Sequence, residues 1–130
     1  MKRWVIGSIA AAAILSGSHR DNTLAAAEKL QLRLSPSISM APASVIVRAT
    51  IEHDADNRVL EFVADSDSFY RRSVIELDGE LAPKVNELRL IGIPGGEYEV
   101  TVTLYDAHGS KTVVRRSLTV MSPGDRLPGD

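Results

Sequence analysis

The chain has 130 residues, 15 basic and 17 acidic side chains, a formal net charge of −2, and no cysteine. That length holds one domain with short extras, and 44% hydrophobic with 25% charged residues is an ordinary globular composition. Missing cysteine excludes a disulfide framework, a Cys–His catalytic pair and a lipoprotein acylation site. Mild acidity without a basic cluster in the sequence argues against nucleic acid and against an anionic membrane surface as partners.

Lys2 and Arg3 precede an apolar run from Trp4 to Leu15, followed by small and polar residues. A basic start, an apolar stretch and a small-residue zone form a secretory signal peptide. The run is shorter than the roughly 20 residues of a membrane-spanning helix. Ala25 and Ala27 satisfy the cleavage rule, which sets residues 1–27 as the signal; cleavage near Ser18 suits the distance from the apolar run better. Retention of the segment as an uncleaved anchor is the alternative, and the only route to a membrane. Removal of residues 1–27 leaves 12 basic and 16 acidic residues, a charge of −4. The expected location is the periplasm or the extracellular space.

Residues 28–121 alternate like strands. Leu30, Leu32 and Leu34 start the first, which ends at Pro36; the stretch from Ser35 to Ala43, with two prolines, reads as a loop or edge segment. Val45, Val47, Ala49 and Ile51 mark the second strand, and His53 to Asn57 form a turn. Arg58 to Ala64 is the third strand, with Leu60 and Phe62 on one face, and Phe69 to Leu77 the fourth. Leu81 to Lys84 connects the sheets, and Glu87 to Ile93 is the fifth strand. Tyr98, Val100, Val102 and Leu104 share one face of the sixth, which opens on Pro94-Gly95-Gly96-Glu97. A tyrosine there, after Gly95 and Gly96, is the pattern of a tyrosine corner, whose ring enters the core and whose hydroxyl bonds backbone upstream. Lys111 to Met121 is the seventh strand, and residues 122–130 are an expected disordered tail. Seven strands without helical periodicity after residue 27 predict an all-β, immunoglobulin-like, antiparallel β-sandwich preceded by the signal-peptide helix.

The elements Pro94-Gly95-Gly96-Glu97-Tyr98, then Val100 and Val102, then Asp106-Ala107-His108-Gly109 resemble the last strands of bacterial extracytoplasmic immunoglobulin-like and fibronectin-III-like modules. The segment from Phe69 to Pro83 is similar to a recurring piece of secreted bacterial proteins of this shape. The resemblance implies a fold, but no catalytic residue and no ligand. The chain departs from antibody-type domains, for it lacks both core cysteines and its single tryptophan is Trp4.

In such a sandwich the loops after strands two and six share one end, which brings His53, Asp54, Asp56 and Asn57 near Asp106 and His108. Two imidazoles and three carboxylates suit a divalent ion, zinc through histidine or calcium through oxygen. Asp, Asn and Gly are also ordinary turn formers, and neither loop has EF-hand spacing, so no metal ligand and no cofactor is assigned. No nucleophile elbow, zinc-protease motif or phosphate loop is present, and no enzyme is expected. A glycan platform would need exposed rings, and Tyr105 with Phe69 or Tyr70 are the candidates. Arg71-Arg72 and Arg115-Arg116 place cations that either protect sheet edges or dock an acidic partner. These features lead to an exported, non-catalytic domain for protein interaction or structural support. Its expected partner is another envelope or extracellular protein, bound through the His53/His108 loops or by strand addition. The alternative is a ligand-binding module for glycan or a divalent cation.

Overall fold

The computed structural model describes residues 29–124; the signal peptide expected at residues 1–27 and the last six residues of the expected tail lie outside them. Among the described residues the chain forms eight strands: β1 (Leu30–Ser35), β2 (Ile38–Met40), β3 (Ala43–Ile51), β4 (Asn57–Asp65), β5 (Tyr70–Glu76), β6 (Val85–Ile93), β7 (Gly96–Asp106) and β8 (Lys111–Met121). A 3-10 turn, Gly79–Leu81, joins β5 to β6. The strands make a β-sandwich of a three-stranded sheet, ordered β1-β3-β6, and a five-stranded sheet, ordered β2-β8-β7-β4-β5.

Period-two alternation sets which side chains meet between the sheets. On β3, Ala43, Val45, Val47, Ala49 and Ile51 are buried while Ser44 and Arg48 are exposed. Leu60, Phe62 and Ala64 of β4 and Tyr98, Val100, Val102 and Leu104 of β7 supply the opposing rows of one core. Branched and aromatic side chains fit a pleated surface, and burial of each large one contributes about 1.5–3 kcal/mol. Among the described residues no buried side-chain polar atom lacks a partner. The Tyr98 hydroxyl donates to the Pro94 carbonyl at 2.7 Å, and its ring meets Phe69 edge-on at 6.0 Å between centroids. That fixes the corner where the chain crosses from β6 in one sheet to β7 in the other.

Two sequence expectations are corrected. The strands number eight, not seven, because β2 forms inside the proline-bearing stretch from Ser35 to Ala43. Its three residues, flanked by Pro36 and Pro42, are too few for a periodic signal. The sheet is also not wholly antiparallel, because β2 runs parallel to β8. Backbone bonds from Thr119 N–H to Ser37 and from Ala41 N–H to Met121 hold it there, at 2.9 and 2.8 Å. At the other chain end, Ser122 lies so close to Gly95 that a Cβ at position 95 would collide with its hydroxyl. Ser122 thus rests on the Pro-Gly-Gly corner, and glycine makes that approach possible.

Phe62→Ala is expected to cost about 3–5 kcal/mol as a large core truncation, and Tyr98→Phe about 1 kcal/mol through the lost hydrogen bond. Urea denaturation of the two variants beside wild type checks both magnitudes and their order.

Candidate functional site

The β3–β4 loop and the β7–β8 hairpin lie side by side at one end of the sandwich. Asp54 organises the first: its Oδ1 accepts the Asp56 N–H at 2.8 Å and its carbonyl accepts the Asn57 N–H at 3.1 Å. Asn57 is buried, and its side-chain amide donates to the Glu52 carbonyl at 2.9 Å, at an irregularity in the pairing of β4 with β7. Gly79 presses on this loop from the 3-10 turn. Its φ is +53° and a Cβ there would stand 2.8 Å from the Ala55 carbonyl oxygen, so only glycine fits.

Asp106 organises the second loop. Its Oδ1 accepts the His108 N–H at 2.8 Å and the Ser110 N–H at 2.9 Å. The loops are tied by the Ala107 N–H, which donates to the Asp56 carbonyl at 2.8 Å, and by His108 Nε2, 3.4 Å from Asp56 Oδ2. Asp54, Asp56, Asn57, Asp106 and His108 are therefore one network, while His53 is exposed and outside it. At Asp106, partial desolvation favours the neutral acid, but the His108 and Ser110 N–H donors and the charges of His108 and Lys29 outweigh it. The carboxyl is held below its ordinary value.

This geometry gives several of the polar groups in which the sequence suggested an ion site a local structural task. Asp54 and Asp106 brace backbone, and Asp56 faces His108. Among the described residues no group of three or more His, Cys, Asp or Glu side chains is placed to hold a metal ion. The rings considered for a glycan lie apart. On the outer face of the five-stranded sheet Tyr105 pairs in register with Val59 and Tyr70 with Asp65, six positions along β4 and so about 20 Å. Each arginine doublet splits. Arg72 reaches Glu61 at 2.6 Å and Arg115 reaches Glu99 at 3.7 Å, whereas Arg71 and Arg116 belong to the inward-pointing rows of their strands. β5 is a sheet edge, where an inward-pointing charge such as Arg71 discourages pairing with another chain.

Of the exposed apolar residues of the edge strands, the sequence singled out only Tyr70, as a possible glycan ring. Ile38 and Met40 lie on β2, Tyr70 and Val74 on β5, and Val85 and Ile91 on β6. A signal existed in β6. The run Leu88-Arg89-Leu90-Ile91 puts an isoleucine on the row expected to be polar, where it is 65% exposed.

No protein-family model and no curated protein sequence matches the chain. Solved structures do. Superoxide reductase (neelaredoxin) from Ignicoccus hospitalis is similar with a TM-score of 0.60 at 11% identity, over 71% of this chain and 80% of that one. A single-substitution variant of the same enzyme gives 0.62 at 12% identity, over 75% and 84%. These neighbours bear on the β-sandwich, not on the immunoglobulin-like assignment. They also correct the expectation that a domain of this build is no enzyme, since an enzyme is built on this fold. At such identity the likeness concerns the fold alone, and no reaction is carried over to this chain.

The lowered Asp106 carboxyl has a stated pH consequence. A group with a depressed folded-state value contributes stability that is present above the unfolded value and lost as pH falls through the folded one. Asp106→Asn is expected to reduce stability at neutral pH and to flatten its decline below about pH 4. Thermal melts of both proteins between neutral and strongly acidic pH check this, and an unchanged acid slope would contradict it.

Proposed function

We propose that this chain is an exported, immunoglobulin-like module of the cell envelope or extracellular space that binds another protein by strand addition at β6. The leader of basic, apolar and small residues supports export. The tyrosine corner at Tyr98 supports the immunoglobulin-like assignment.

The observation that carries the binding reading is where the exposed apolar side chains sit. Six of the seven large ones among the described residues are on the edge strands β2, β5 and β6, and the seventh, Leu81, is in the turn leading into β6. Free strand edges with apolar side chains are normally avoided because they pair with other chains. The three edges that carry them differ. β2 has only three residues. β5 carries Arg71 and Arg72. β6 offers nine residues paired on one side only, by β3, with Val85 and Ile91 exposed. An added strand would take affinity from the main chain of β6 and specificity from its alternate outward positions, Val85, Glu87, Arg89 and Ile91.

Crosslinking capture of the tagged protein from its native envelope fraction tests this. A discrete protein partner is expected with wild type and with His53→Ala/His108→Ala, and is expected to vanish with Val85→Lys/Ile91→Lys. Loss in the histidine variant alone would move the site to the loops, and recovery of no protein with wild type would overturn the reading.

A further inference from the structure

A groove of about 450 Å³ opens where the free edge of β1 passes β8 and extends over the outer face of the small sheet as far as Val85 at the start of β6. Gln31, Arg33, Arg48, Thr50, Val85 and Arg116 line it. Strand register assembles the cationic part: Arg33 stands opposite Arg48 on the outer face, and Arg48 opposite Glu87. Arg116 comes from the other sheet. It belongs to the inward row of β8, in register with Val100, yet is exposed because the three-stranded sheet does not cover it.

The charges in this groove are not balanced internally. Arg48 is paired, its Nε and Nη2 lying 2.7 and 2.6 Å from Glu87 Oε2. Among the described residues Arg33 has no acidic partner, and Arg116 donates only to the Arg115 carbonyl, at 2.8 Å. Like charges directly opposite on neighbouring strands are destabilising, so Arg33 beside Arg48 is an arrangement that folding alone does not favour. Gln31 and Thr50 add neutral polar groups on the next register row. A second hollow of about 210 Å³ shares Gln31 and Thr50 and adds Lys84 and Glu52. The groove is thus cationic on a chain whose formal charge is −2.

We infer that this groove binds a small multivalent oxyanion, through the guanidinium groups of Arg33 and Arg116, which have no acidic partner among the described residues, and the remaining donors of Arg48. Guanidinium forks match carboxylate and phosphate oxygens with two parallel bonds, and the volume is that of a small-molecule site. The same residues do not suit a nucleic-acid track, which needs a longer run of cations.

The test is titration of the whole exported protein with sodium phosphate and, separately, with citrate, at ionic strength held constant by sodium chloride. The readouts are arginine side-chain NMR shifts and melting temperature. With at least one probe, saturable shifts at Arg33, Arg48 and Arg116 are expected, with a rise in melting temperature. Arg33→Gln and Arg116→Gln should each weaken binding about tenfold, the loss of one charge-assisted contact. Arg71→Gln, on a distant edge, should leave it unchanged. Phosphate alone would identify a phosphoryl ligand and citrate alone a polycarboxylate. Shifts that follow ionic strength without saturating, or equal weakening in Arg71→Gln, would overturn the assignment. So would variants that bind as wild type does.

Discussion

With no disulfide available, the two sheets are joined by the interdigitation of their inward rows, and everything else hangs on that contact. Val45, Val47 and Ala49 of β3 join Leu60 and Phe62 of β4 and Val100 and Val102 of β7 in a core whose members are almost fully buried. A one-residue slip of any of these strands would send its entire apolar set to the outer face. Register is therefore fixed strongly, and the loops and grooves inherit their geometry from it. The Asp56–Ala107 and Asp56–His108 contacts form because β4 and β7 are neighbours whose paired ends, Asn57 and Asp106, arrive together.

The sandwich is also lopsided, with three strands facing five. The smaller sheet leaves parts of the larger one uncovered. Arg71 at the β5 edge and Arg116 beside β1 show what the chain places on those inward but uncovered rows. Arginine tolerates such positions because its stem covers apolar surface while the guanidinium reaches water. Edge exposure and the cationic groove are two consequences of one mismatch in sheet width. The superoxide reductase fold neighbours show that a β-sandwich of this type also supports catalysis. What this one binds is a matter for its own side chains.

Much of this was readable in the sequence, for a definite reason. A strand buried on one face writes its position in alternating residues, as β1, β3 and β7 do most plainly, and the turn formers Asp54, Asn57, Asp106 and Gly109 mark the breaks between strands. β2 writes nothing, because three residues between two prolines hold less than two periods and their pairing with β8 is set by distant chain. The groove was equally silent. Arg33 and Arg48 are lone arginines fifteen positions apart, and only the antiparallel register of β1 on β3 sets them opposite each other. The doublets Arg71-Arg72 and Arg115-Arg116 drew notice as doublets, yet adjacent residues on a strand point to opposite faces and act separately.

The claim that most needs a direct measurement is that β6 is the binding edge. Alternate amides of an edge strand face away from its one neighbour and lack a partner. Hydrogen exchange of the protein, alone and with its purified crosslinked partner, reads those amides one by one. Fast exchange at alternate positions of residues 85–93 is expected in the free protein, with marked protection there in the complex. Protection confined to residues 52–57 and 106–110, with β6 unchanged, would contradict it.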